Sequence, residues 1–196
     1  ALTADDLEAS TISNLTYDGT VKKTVRVTGI PQGAQVTVTW MEGGQEKQET
    51  LTADAARLEV AAITNAGEYE VTITVEHGFF TGGAATVTAT GKIGKKTVTT
   101  PVASTSLQPY TPTLVQTGVP GSEDTNVYTV TGNTATDAGT HKATATLLHP
   151  ENYQWSSGDA DETGVVTIEY TIPKRTLAKP QMPPSNYRYD GSAKAP

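Results

Sequence analysis

The sequence repeats itself with a fixed period, and this period constrains its fold more than any other feature. The segment at residues 93–101 (IGKKTVTTP) returns at residues 172–180 (IPKRTLAKP), 79 positions later. The same shift places Tyr110 on Tyr189 and Ser106 on Ser185. A fixed period of this kind is typical of an array of similar modules. The sequence therefore predicts repeated structural units rather than one large domain.

The repeat divides the 196 residues into two modules and the beginning of a third. We expect a first module at residues 1–93, a smaller second module at 94–172, and the start of a third repeat or a C-terminal tail at 173–196. The first copy has additional residues around positions 41–58, which we interpret as an added hairpin. The third copy spans about one strand, which cannot bury its apolar face alone. We therefore expect the natural protein to continue, and expect this strand to dock on the second module or on another copy.

The composition predicts an all-β protein. Threonine and valine are abundant, and these β-branched residues favour strands. The 18 glycines and 11 prolines supply turns. Apolar and polar residues alternate strictly in several runs, which is typical of half-buried antiparallel strands. The predicted inward-facing sets are Val36, Val38 and Trp40; Tyr69, Val71, Ile73 and Val75; and Val166, Ile168, Tyr170 and Ile172.

Charge and motif content argue against several classes of function. The formal net charge is −7, and no basic run is present that could neutralise a nucleic-acid backbone or bind an anionic membrane. The apolar stretches are shorter than the ~20 residues of a membrane-spanning helix. No nucleophile motif is present, and the chain has three histidines and no cysteine. We therefore expect no catalytic residues, no metal site, no cofactor, no nucleic-acid partner and no membrane insertion.

Residues 65–71 (NAGEYEV) and 137–143 (DAGTHKA) are two copies of one motif, with His141 in the second copy in place of the tyrosine of the first. The motif resembles the start of strand F in immunoglobulin-like domains, where a tyrosine corner forms. Together with Tyr-Asp-Gly at 17–19, Asn-Tyr-x-Trp at 152–155 and the repeated Lys-rich segment, the pattern resembles the bacterial Ig-like (MBG-type) repeats of cell-surface proteins. The resemblance implies two tandem immunoglobulin-like β-sandwich modules of mostly antiparallel strands. It also implies an extracellular or bacterial cell-surface location.

One loop carries the candidate ligand-binding residues. Aromatic side chains beside carboxylates are a common sugar-binding arrangement, and the loop at 152–162 contains such a set. The alternative interpretation is that the aromatic pair packs over the core, because residues i and i+2 of a strand share a face. The candidate residues are Tyr153, Trp155, Asp159, Asp161 and Glu162.

Other candidate sites have simple structural interpretations. The Asp159-x-Asp161-x-Thr163 pattern resembles the start of a calcium loop, but Tyr170 stands where the closing glutamate belongs. We therefore expect a solvated acidic turn, with a weak surface calcium site as the alternative. The pair at 79–80 (FF) fills the end of the core or forms an interaction edge. Lysines 22, 23, 95 and 96 are candidates in principle for Lys–Asn isopeptide bonds, although no buried triad is indicated.

The leading interpretation is a non-enzymatic structural or adhesive repeat protein. Its partners would be neighbouring repeats of the same chain, and possibly a host or cell-wall glycan or protein. The alternatives are a carbohydrate-binding or adhesin module that uses the 152–162 loop, and an accessory domain of an extracellular hydrolase.

Overall fold

The prediction of an all-β protein is confirmed. The structure is a computed structural model that describes residues 1–157, 163–181 and 191. Within these residues there are fourteen strands and two 3-10 turns, and no α-helix. The strands are β1 (Glu8–Thr11), β2 (Lys22–Thr28), β3 (Gln35–Glu42), β4 (Gln45–Thr52), β5 (Arg57–Ile63), β6 (Gly67–Glu76), β7 (Ala84–Ile93), β8 (Lys96–Val98), β9 (Gln116–Thr117), β10 (Tyr128–Thr131), β11 (Thr134–Ala135), β12 (Gly139–Leu147), β13 (Tyr153–Trp155) and β14 (Val165–Ile172).

Two antiparallel sheets make up the first repeat. One has the strand order β1-β2-β5 and the other β4-β3-β6-β7. A single apolar cluster draws on both sheets, with Val25 and Val60 from the first and Val38 and Ile73 from the second. These four side chains are fully buried. The arrangement is consistent with a β-sandwich whose core lies between the sheets.

The predicted alternation is present in the strands that build this core. Val36 and Val38 of β3 and Val71 and Ile73 of β6 are fully buried, and the threonines between them are half-buried on the opposite face. In β14 the inward set is also mainly buried, with Ile168 only half-buried. Side chains alternate between the two faces of a strand, so the period-2 pattern was sufficient to identify the buried face.

The residues added to the first copy extend its larger sheet. Strand β4 pairs with β3 over eight residues, from Gln35 opposite Thr52 to Glu42 opposite Gln45. The two strands are joined by Gly43 and Gly44, which have φ values of 60° and 76°. A two-residue hairpin turn with positive φ at both positions favours glycine, which has no Cβ to clash.

The second repeat has smaller sheets. Strands β10, β12 and β14 form one antiparallel sheet, β9 pairs with β11, and β13 pairs in parallel with β8. The order β10-β12-β14 matches β3-β6-β7 of the first repeat, and the pair β9-β11 matches β2-β5. Two apolar clusters lie here, one around Trp155 and Leu147 and one around Val119 and Tyr170.

The clusters of the two repeats lie on opposite sides of the predicted boundary at residue 93. Every member of the large cluster lies at or before Ile93, and the two smaller clusters begin at Val98. Residues 173–181 form no strand or helix. The rest of the predicted third repeat lies outside the described residues except for Gly191, so its opening strand stays a prediction.

Candidate functional site

A turn before β13 places the predicted aromatic pair. The main-chain N–H groups of Asn152 and Tyr153 both donate to the His149 carbonyl oxygen, each at 3.0 Å. The chain then enters β13, where Tyr153 lies opposite Lys96 and Trp155 opposite Val98. This parallel pairing attaches the loop to the segment that connects the two repeats.

Trp155 lies inside the second repeat. Its side chain is 6% exposed, its Nε1–H donates to the Gly164 carbonyl oxygen at 2.8 Å, and its ring meets the edge of Tyr128 with centroids 5.0 Å apart. A sugar-binding tryptophan needs an accessible ring face, which this side chain does not have. The burial of Trp155 therefore counts against a stacking role for it.

Asn152 makes several polar contacts, and some of them reach the first repeat. It is 4% exposed, and its Oδ1 accepts a hydrogen bond from the Ala66 main-chain N–H at 2.8 Å. Its Nδ2 donates to Asn65 Oδ1 at 3.1 Å, and its main-chain carbonyl oxygen accepts from the Lys96 N–H at 2.9 Å. Both ends of the buried amide are thereby satisfied, as buried polar groups require.

Tyr153 completes the contact between the repeats. Its ring meets the ring of Tyr17 edge to face, with centroids 5.4 Å apart and an interplanar angle of 81°. Such an aromatic pair contributes about 0.5–1.5 kcal/mol beyond the area it buries. Lys95 adds a further bond, because its Nζ donates to the Pro150 carbonyl oxygen at 2.7 Å. We call this set the repeat junction: Tyr17, Asn65, Ala66, Lys95, Lys96, Pro150, Asn152 and Tyr153.

The predicted ligand residues are thus only partly brought together. Tyr153 and Trp155 share a face of β13, one at the repeat junction and one in the core. Asp159, Asp161 and Glu162 lie outside the described residues, as does most of the proposed calcium loop, so their roles stay predictions. Sequence reasoning named Asn152 only as part of a motif. Its pairing with Asn65 and Ala66 depends on how the two repeats meet, which no local pattern encodes.

The tyrosine corner of the first repeat is present. The Tyr69 hydroxyl donates to the carbonyl oxygens of Asn65 at 2.9 Å and Ala66 at 3.3 Å. Burial, and secondarily the negative charge of Glu42, raise the pKa of the Tyr69 hydroxyl. The corner therefore holds in place the two residues that receive Asn152.

The second repeat forms an equivalent corner with a different side chain. His141 Nε2 lies 2.8 Å from the Asp137 carbonyl oxygen, four residues earlier, as Tyr69 does with Asn65. A carbonyl oxygen can only accept, so Nε2 carries the proton in this bond. The imidazole also stacks on the Tyr170 ring, with centroids 5.3 Å apart. The replacement of tyrosine by histidine thus preserves the corner hydrogen bond.

The other residues that the sequence analysis named as candidates lie at separate places in the structure. Phe80 is 4% exposed and fills the core, whereas Phe79 is 64% exposed and lies against the His77 ring. Lys22 forms an ion pair with Asp18 at 2.5 Å, and Lys23 pairs with Glu49. The hydrogen bonds from Lys22 and Thr20 hold the pKa of the Asp18 carboxyl well below its usual range. These two lysines are therefore engaged with carboxylates.

In the described part of the chain, no group of three or more His, Asp or Glu side chains is arranged to hold a metal ion. None of the helical segments described has the length and apolar character that crossing a bilayer requires.

Comparisons with known proteins add no assignment. No protein-family model matches the sequence, and no curated protein matches it.

Proposed function

We propose that this protein is a non-enzymatic structural segment made of tandem immunoglobulin-like β-sandwich modules from a bacterial cell-surface or secreted protein. Its function is to hold successive modules at a defined spacing and angle. The observation that carries the proposal is the repeat junction, in which the buried Asn152 side chain bonds to two residues of the first repeat. A flexible tether between independent domains has no need of such a buried polar contact.

The repeated architecture supports the same proposal. The two repeats share a strand order, and a corner hydrogen bond spans four residues in each, from Tyr69 and from His141. Both features agree with the fold that the resemblance to Ig-like surface repeats implies. An extracellular location and neighbouring repeats as partners follow from that resemblance and belong to the proposal.

The adhesive alternative has less support. It places a glycan on the aromatic face of the 152–162 loop, but Trp155 is buried and Tyr153 packs on Tyr17. A glycan array probed with the intact chain tests it directly. Binding that is lost on Tyr153→Ala, with the repeats still folded, would favour the adhesin over the spacer.

A distance measurement between the repeats tests the spacer proposal. The chain has no cysteine, so Lys47→Cys in β4 and Glu169→Cys in β14, both exposed, provide two unique spin-label positions. We expect a single narrow distance distribution by pulsed electron paramagnetic resonance, and a broad one when Asn152→Ala is added. Asn126→Ala, at an exposed asparagine of the second repeat, serves as the matched control and should leave the distribution narrow. A broad distribution in the doubly labelled protein that retains Asn152 would overturn the proposal.

A further inference from the structure

The two repeats present the same surface at the point where their last strand ends. In the first repeat the Tyr17 N–H donates to the Gly94 carbonyl oxygen at 2.9 Å, and in the second the Tyr110 N–H donates to the Pro173 carbonyl oxygen at 2.8 Å. Gly94 and Pro173 are one period apart. The tyrosine and the outgoing chain therefore meet in the same way in both repeats.

In the first repeat this surface is covered by the second. Tyr153 lies on Tyr17 and opposite Lys96, and Gln154 Nε2 lies 3.3 Å from Thr97 Oγ1. We call the covered set, Tyr17, Asn65, Ala66 and residues 95–97, the first receiving surface. Ala66 is 9% exposed, and its main-chain N–H donates to Asn152 Oδ1.

In the second repeat the equivalents of Tyr17 and of residues 95–97 line a cavity. We call Tyr110, Asp137, Ala138 and residues 174–176 the second receiving surface. A cavity of about 600 Å³ is lined by residues 108–111, Leu114 and residues 174–176, which include the counterparts of Tyr17, Lys96 and Thr97. Ala138 is half-buried rather than buried, and its N–H has no hydrogen-bond partner among the described residues. The position that Tyr153 and Gln154 fill in the first repeat is thus a cavity in the second.

Hydrogen bonds within the second repeat support this second surface. His141 Nε2–H donates to the Asp137 carbonyl oxygen, as the Tyr69 hydroxyl does to that of Asn65. Gln116, 7% exposed, accepts from the Gln108 N–H at 2.6 Å and donates to the Gln108 carbonyl oxygen at 2.9 Å. A preformed surface loses little conformational entropy when a partner binds.

Its chemistry suits an asparagine side chain. The Ala138 N–H can donate to an amide oxygen, as the Ala66 N–H does to Asn152. Asp137 replaces Asn65, and its carboxylate can accept from the amide NH₂ in a charge-assisted hydrogen bond. The Tyr110 ring corresponds to the ring on which Tyr153 packs.

We propose that the second receiving surface binds the Asn-Tyr loop of a further module of the same kind, connected through residues 173–181. The array would then propagate by repeating one junction, with Asp137 and Ala138 in the roles of Asn65 and Ala66. The inference rests on the proposed spacer function, because it extends the same junction by one module.

An extended chain tests this inference. Residues 1–181 followed by residues 103–172 preserve the 79-residue register and the native connection, and supply a third module with its own Asn-Tyr loop. Segmental ¹⁵N labelling of residues 1–181 allows amide hydrogen exchange to be followed at Ala66 and Ala138. We expect exchange at Ala138 to slow by about tenfold relative to the 196-residue chain. The Asn152→Ala change in the appended copy should remove this protection, whereas Asn126→Ala in that copy should not.

The outcomes separate the two proposals. Unchanged exchange at Ala138 beside a folded third module would overturn the inference while leaving the first junction intact. An unfolded third module would also overturn it, because the same sequence folds when seated on the first repeat. Protection of Ala138 in the 196-residue chain that grows with concentration would assign the surface to a second copy instead. Rapid exchange at Ala66 that Asn152→Ala does not change would contradict the spacer function itself.

Discussion

The side-chain oxygen of Asn152 accepts a hydrogen bond from the main-chain N–H of Ala66 at 2.8 Å, across 86 residues of sequence and from one repeat to the other. Both partners are buried, so water cannot readily replace either of them. This bond helps to fix the position of one repeat relative to the other in the folded protein.

Replacing Asn152 by alanine should destabilise the chain by about 1–3 kcal/mol. The change removes the hydrogen bonds to Ala66 and Asn65 and leaves the Ala66 N–H buried without a partner, which costs its desolvation. Equilibrium unfolding in urea measures the loss. Asn126→Ala is the control, because that side chain is exposed. Equal stability of the two variants would show that the junction contributes nothing to the fold.

The corner of the second repeat should depend on the imidazole N–H of His141. His141→Phe retains a ring that can stack on Tyr170 but loses the bond to the Asp137 carbonyl oxygen, so we expect a loss of about 0.5–1.5 kcal/mol. His141→Tyr should recover part of this loss, because Tyr69 makes the equivalent bond in the first repeat. Thermal unfolding of the three proteins provides the comparison. If phenylalanine and tyrosine were equally destabilising, the ring contact rather than the hydrogen bond would matter there.

Ionisation of the Tyr69 hydroxyl should contribute to a loss of stability at alkaline pH. Burial raises the pKa of its hydroxyl above the ordinary value of 10.0, so the folded protein holds this proton more tightly than the unfolded chain. The contribution to stability is therefore fully present below pH 10 and is lost as the pH rises through the folded-state pKa. Free energies of unfolding measured from pH 8 to 11 should decline less steeply for Tyr69→Phe. Parallel profiles for the two proteins would refute this assignment.

A methyl group at Gly118 should not be tolerated. A Cβ built there would lie 1.9 Å from Cδ2 of Tyr170, whose ring is 3% exposed and whose hydroxyl donates to the Gly132 carbonyl oxygen at 3.0 Å. The ring cannot move aside without losing that bond and its packing. We expect Gly118→Ala to destabilise the protein by about 1–3 kcal/mol, as overpacking of a tight core does. Gly121→Ala is the matched control, since no atom lies within 4 Å of its added Cβ, and it should unfold at an almost unchanged urea concentration.

The strands and their buried faces were largely predictable from the sequence. The alternation of valine with threonine in β3 and β6 identified the inward residues, because the two faces of a strand follow its period of two. The burial of Trp155 was among the interpretations left open, since an aromatic residue in a loop motif packs inward or outward depending on what covers it. The alignment placed His141 where Tyr69 stands, but the retention of the corner hydrogen bond was not predictable from residue type, because it depends on where the imidazole Nε2 lies relative to the Asp137 carbonyl oxygen.

The sequence by itself determined the period of 79 residues, the all-β class and the faces of the main strands, because these depend on local spacing and on the side chains' preference for water or for the core. Only the tertiary structure decided that Asn152 meets Asn65 and Ala66, and that Tyr153 packs on Tyr17. Those contacts join residues far apart in the chain, and their geometry is set by the packing of two complete repeats around the segment that links them.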